Sequence, residues 1–149
     1  MSDDGPEQGL LDTSAVIDLG DLDPEALPAE PLICSITLAE LSVGPLVATS
    51  GEERSKRQRL LQQTEADFDP IPFDAAAARA FGQVAASLRA AGRKPAARAY
   101  DALIAAVAVG HQIPLYTSNP ADFEGILGLD VREVRQPGTG TPSRGPDGR

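Results

Sequence analysis

Apolar residues in this chain fall into short runs of three or four, separated by longer stretches in which apolar positions recur every three or four residues. Short runs bounded by turn residues read as buried strands, and the longer spacing reads as helix. Gly9-Leu10-Leu11 is a short strand. Asp12 or Thr13 caps a helix that starts at Thr13 and reaches Leu19. Residues 20–31 form a loop rich in proline and acids, and Leu32-Ile33-Cys34 is a second buried strand. A helix follows from about Thr37 to Ala48, then a charged helix with one apolar face from Glu52 to about Asp67. Pro70-Ile71-Pro72-Phe73 is an extended connector, and Asp74 caps an alanine-rich helix that Gly92 stops after about Ala91. Pro95 restarts a helix near Ala96 that runs to Val109, and Gly110-His111-Gln112 is a turn. Residues 114–117 are a strand, Pro120 opens a short helix, and residues 129–134 are a last strand.

Short apolar strands alternating with helices predict an α/β fold built on a parallel sheet. In such sheets the functional cleft lies beyond the carboxyl ends of the strands. The folded part is expected over residues 9–135 as one domain. Residues 1–8 are polar and acidic and read as a disordered leader. Residues 136–149 are half proline and glycine and read as a flexible tail.

Composition narrows the setting. The longest apolar run, Ala102 to Val109, is far short of the ~20 residues that span a bilayer. The start of the chain lacks a basic stretch leading into an apolar one, so no signal peptide is expected. The single cysteine, Cys34, excludes an internal disulfide and reads as a small core residue. Together these features predict a cytoplasmic protein without a membrane partner. The net charge of −9 is unevenly spread: residues 1–53 hold twelve acids and no lysine or arginine. That acidity argues against non-specific binding of nucleic acid but leaves room for a local basic rim. Arg54, Lys56, Arg57 and Arg59 read as a solvated helix face. Arg93, Lys94 and Arg98, just ahead of Asp101, are better placed to hold a phosphate backbone.

Four carboxylates stand out against this background. Asp12 follows Leu10-Leu11, Glu40 lies in Ile36-Thr37-Leu38-Ala39-Glu40-Leu41, Asp101 precedes the apolar run, and Asp122 closes Thr117-Ser118-Asn119-Pro120-Ala121-Asp122. Desolvating a charged carboxylate is costly unless it is paired or holds a metal. Each acid also has a plain structural role open to it. Asp12 is a good helix cap, Glu40 a partly exposed helix position, and Asp122 with Asn119 and Pro120 nearly completes a capping box. For Asp101 the capping role is weaker, because Pro95 sets the helix start more than a turn earlier. An oxygen-only set suits Mg2+, with Mn2+ as a substitute, rather than zinc or copper. An ion so held activates water and stabilises the leaving oxygen in phosphodiester hydrolysis. Other chemistries are excluded by the residues: one histidine, one cysteine, no nucleophile elbow and no glycine-rich phosphate loop.

Taken in order, these segments resemble the PIN-domain ribonucleases, in particular the VapC-type toxins of bacterial toxin–antitoxin pairs. The resemblance rests on Leu11-Asp12-Thr13-Ser14-Ala15, the segment 36–41 with Gly44, Tyr100-Asp101-Ala102-Leu103-Ile104-Ala105-Ala106, and Thr117 to Phe123. It covers residues 9–135. It implies a three-layer α/β/α sandwich and a magnesium-dependent endoribonuclease. Asp12 and Asp101 would be the principal ligands, with Glu40 and Asp122 completing the shell, partly through water. Thr13 or Ser14 would orient Asp12, and Thr117 and Asn119 would line the site. The resemblance also implies a homodimer, a small cognate antitoxin, and structured transfer or ribosomal RNA as substrate. Two other readings stay open: a PIN nuclease of RNA processing, and a PIN-like binding module without turnover. A phosphotransfer receiver domain ranks below them, because no lysine follows the strand at 114–117.

Overall fold

The structure, a computed structural model, describes residues 7–137. Four strands, β1 (Gln8–Leu11), β2 (Glu30–Leu32), β3 (Leu115–Thr117) and β4 (Val131–Glu133), form one sheet in the order β2-β1-β3-β4. Every pairing is parallel, with Leu10 opposite both Leu32 and Leu115. The helices are α1 (Thr13–Ile17), α2 (Ser35–Val47), α3 (Gly51–Asp67), α4 (Ala75–Ala90) and α5 (Ala99–His111).

Period-two alternation in the strands sorts the core into two layers. Leu10 and Leu115 face α4 and α5, packing among Val84, Leu88, Ile104 and Val107. Their neighbours Leu11 and Tyr116 face the opposite side and pack with Ala15, Val16, Ile33 and Leu41. Leu60 and Leu61 bring α3 onto that second layer. The result is the expected α/β/α sandwich. Helix α5 is its central pillar: Ala102 and Ile104 to Ala108 are all buried, so an apolar sequence on every side is what its position demands. Gly110 lets α4 come close, since a Cβ there would meet the Ala76 carbonyl oxygen at 2.8 Å.

Several boundaries differ from the sequence expectation. Gln8 already pairs in β1 and Glu7 is bonded to Arg132, so the folded part begins before residue 9. The rest of the expected leader, and residues 138–149 of the expected tail, lie outside the described residues. Strand β2 ends at Leu32; Ile33 and Cys34 are buried beyond it, and Cys34 makes an isolated parallel bridge to Ile71. Helix α5 continues through His111, and Gln112 takes the left-handed position with φ 57°. Most consequential, Pro95–Arg98 is a separate 3-10 turn, and α5 proper starts at Ala99 because Arg98 leaves helical geometry at φ −128°, ψ 42°. Asp101 therefore sits in the first turn of α5, which restores the dipole role that the proline position had argued against.

Candidate active site

Because β2 and β3 flank β1 on opposite sides, the order in which strands are added reverses between β1 and β3. The carboxyl ends of those two strands therefore open onto a crevice that no crossover helix covers. Asp12 leaves β1 directly into this crevice, and Thr117 ends β3 beside it.

Asp12 is almost fully buried, at 4% exposure. Its Oδ1 accepts from the Ala15 amide at 2.9 Å and from the Ser14 hydroxyl at 2.7 Å. Its Oδ2 accepts from the Thr117 hydroxyl at 2.6 Å. The capping reading and the site reading of Asp12 are thus both realised by one carboxylate. Burial pushes its pKa up, the three donors pull it down, and the Asp122 charge pushes it up again. The Ser14 hydroxyl also accepts from the Ser118 amide at 3.1 Å, and Thr117 accepts from the Asn119 amide at 2.9 Å. One continuous hydroxyl network therefore ties the β1 exit to the β3 exit.

Glu40 reaches the same crevice from the second turn of α2 and accepts from the Thr13 hydroxyl. Thr13 lies 3.2 Å from the Oγ1 of Thr37, which is fully buried one turn ahead of Glu40. Thr37 and Ser118 are site-supporting residues that sequence reading did not single out. The signal for Thr37 was its spacing, three residues before an acid on the same helix. Burial raises the Glu40 pKa, Thr13 lowers it, and the Asp12 charge raises it.

Asp101 and Asp122 close the ring. Asp101 titrates at about 6, raised first by burial and then by the charges of Asp122, Asp12 and Glu40, with Arg98 pulling the other way. Arg98 sits between the two acids, 2.8 Å from Asp122 Oδ1 and 3.9 Å from Asp101 Oδ2. Asp122 is not part of a capping box: Asn119 makes no side-chain cap, and the turn Pro120–Phe123 is a single 3-10 turn. Asn119 is exposed and contributes its backbone amide to the network. Arg93, expected to meet phosphate, directs its guanidinium to the carbonyls of Ala121, Asp122 and Glu124. Lys94 is exposed.

The charges of Asp122, Asp12 and Glu40 all act on Asp101, although the four acids sit on four different elements. Repulsion among carboxylates in a partly dry crevice is an arrangement that a bound cation would relieve. Among the described residues no three acid, histidine or cysteine side chains enclose an ion as they stand. Asp12, Glu40 and Asp122 are each turned onto their own hydroxyl, amide or arginine partner. The donor set itself, carboxylate oxygens backed by hydroxyls, fits a hard divalent cation. Beside Glu40 a groove of about 430 Å³ runs between α1, α2 and α3, with Ile17, Leu41 and Leu60 in its walls and Lys56 at its rim.

Fold and site together define a class, and comparison with known proteins agrees. Residues 9–126 match the PIN domain family. The chain is 35% identical over 132 residues to Ribonuclease VapC5 of Mycobacterium tuberculosis, spanning 87% of this chain and 95% of that one. It superposes on the crystal structure of VapBC-5, a member of the VapBC family of toxin-antitoxin systems from Mycobacterium tuberculosis, with a TM-score of 0.75. That match has 34% identity and covers 87% of this chain and all of the other. A VapBC structure from Salmonella typhimurium shares the fold at TM-score 0.67 and 24% identity, covering 85% and 98% of the two chains. The chain belongs to the PIN-domain family, as a homologue of the VapC ribonucleases.

Proposed function

We propose that this protein is a Mg2+-dependent endoribonuclease toxin that cuts structured RNA of the transfer or ribosomal class and is held inactive by a cognate antitoxin. The observation that carries this reading is the approach of Asp12, Glu40 and Asp122 to Asp101 at the crevice between β1 and β3, where the charges of all three raise the Asp101 pKa. Asp12 and Asp101 are the principal ligands in this reading, with Glu40 and Asp122 completing the set. A bound divalent ion supplies Lewis acidity at the scissile phosphate. The chain's own residues do the rest. Thr117, Ser14 and the Ala15 amide hold the Asp12 carboxylate in one orientation. Thr13 does the same for Glu40. Arg98, beside Asp122 and Asp101, and the exposed Lys94 are read here as meeting flanking phosphates and offsetting the acidity of the crevice.

An antitoxin segment laid along the groove beside Glu40 would close the crevice to RNA. Val43, Leu46 and Val47 are exposed apolar residues on α2 and support a further protein contact, here read as a second copy of the chain. No helix among the described residues is long and apolar enough to cross a membrane. The site of action is read here as cytoplasmic, where such RNA is found.

The test is cleavage of a pool of structured cellular RNA by purified protein, wild type against Asp101→Asn, each with Mg2+ or with chelator. Discrete cuts only by the wild type with Mg2+ are expected. Equal cutting by Asp101→Asn, or cutting in chelator, would remove the metal-nuclease reading. Folded protein that cuts nothing and binds no divalent ion would favour the binding module.

A further inference from the structure

We propose that Arg93 is a positioning residue for Asp122: its guanidinium, anchored at the end of α4, clamps two carbonyls of the turn that carries the acid and the carbonyl of the residue that follows it. The proposal rests on the reading of Asp122 as part of the cation site.

Asp122 lies in a four-residue 3-10 turn, Pro120–Phe123. A turn this short has little cooperativity of its own, and it closes with a long 3.3 Å bond from the Glu124 amide to the Ala121 carbonyl. Arg93 adds further donors. Its Nη2 donates to the Ala121 carbonyl at 2.8 Å, and its Nη1 donates to those of Glu124 at 3.0 Å and Asp122 at 3.3 Å. A cation at the carbonyl end of a turn is also favoured by the local dipole. The planar fork matters here, because one ammonium cannot span carbonyls of three residues in a fixed geometry.

Arg93 is itself held where it must be. Gly92 takes φ +78° after α4, the Gly92 amide donates to the Arg89 carbonyl, and the Arg93 amide donates to the Leu88 carbonyl at 2.8 Å. These are the two bonds of a Schellman turn, so the rigid, core-packed end of α4 fixes the root of the clamp. The Asp122 backbone is then set by Arg93 and its carboxylate by Arg98. Phe123, at 1% exposure, and the Leu127 amide on Ser87 Oγ hold the segment to the core independently of Arg93. Removing Arg93 should therefore loosen the acid without releasing the fold.

The experiment is Mn2+ titration of the full chain without RNA, by calorimetry or paramagnetic resonance. It compares wild type, Arg93→Ala, Arg93→Lys, Asp122→Asn and the Arg93→Ala/Asp122→Asn double variant. Arg93→Ala is expected to weaken Mn2+ binding about tenfold, the size usual for losing an outer partner of a ligand. Arg93→Lys should recover only part of that, and Arg93→Ala should add nothing to Asp122→Asn. RNA affinity, measured in an Asp101→Asn background, should be unchanged by Arg93→Ala, and so should its salt dependence. Wild-type Mn2+ affinity in Arg93→Ala, with Asp122→Asn weakened, overturns the clamp while sparing the cation site. Additive losses, or a flattened salt dependence of RNA binding, also overturn it. Wild-type affinity in Asp122→Asn removes the underlying assignment of Asp122 and the proposal with it. Should Arg93→Ala not fold, Arg93→Lys carries the same comparison.

Discussion

Replacing Asp101 by Asn should make the metal-free protein more stable at neutral pH and no more stable at pH 4. Asp101 titrates at about 6 against an ordinary value of 3.8, because burial and three neighbouring acids disfavour its ionised form. A gap of that size corresponds to about 3 kcal/mol at 1.36 kcal/mol per decade. The side chain is 30% exposed, so solvent screening brings the expected figure to about 2 kcal/mol. The sign follows from proton linkage. The folded-state pKa is raised, so folding is unpenalised below about pH 4, where both states are protonated. The penalty grows between 4 and 6 and is complete above 6. Asn has no charge to desolvate and escapes it, while giving up some interaction with the α5 dipole. Urea denaturation of wild type and Asp101→Asn in chelator, from pH 4 to 8, measures the difference directly. The expected curve is near zero at pH 4 and favours the variant by about 2 kcal/mol at pH 8. Adding Mg2+ should stabilise the wild type and leave the variant unmoved. A difference independent of pH, or a less stable variant at pH 8, would refute the account of the crevice as a cluster of repelling acids.

Other outcomes follow from the same geometry. Thr117→Val removes the hydroxyl that Asp12 Oδ2 accepts from in a buried position, and should cost about 1–3 kcal/mol at pH 7 in a denaturant melt. It should also lower RNA cleavage while leaving the secondary structure intact by circular dichroism. Asp74 caps α4 by accepting from the Ala77 amide and pairs with His111 at 3.1 Å. Asp74→Ala should lower the thermal midpoint by removing the α4 cap without affecting cleavage. Gly110→Val should be damaging away from the site, since its side chain would run into the Ala76 carbonyl; a loss of about 1–3 kcal/mol is expected in thermal unfolding.

Much of the fold was legible in the chain. Runs such as Leu10-Leu11 and Leu115-Tyr116 are short, apolar and bounded by breakers, and local sterics and burial leave them little choice but to be strands. The alanine-rich stretch capped by Asp74 and stopped by Gly92 is α4 to within a residue. The four acids were legible because a carboxylate beside apolar sequence is conspicuous whatever the fold. The start of α5 was not. Pro95 marks a helix opening, but whether the next residues wind as a 3-10 turn or an α-helix depends on what packs against them. The true start at Ala99 puts Asp101 in the first turn, so the argument that set its capping role aside does not hold.

What the sequence determined by itself was the set of elements, their order, and which residue types were available for chemistry, since these rest on local propensity and spacing. Tertiary structure decided which side chains share a place. Asp12 and Thr117 are separated by more than a hundred residues and meet at 2.6 Å because β1 pairs in parallel with β3. Glu40 joins them by way of Thr13. It also decided what each charge is used for. Arg93 and Arg98 read alike in sequence, as basic residues ahead of an acid. In the fold one braces the carbonyls around Asp122 and the other faces its carboxylate. That division depends on distances across the chain, which no local pattern of residues encodes.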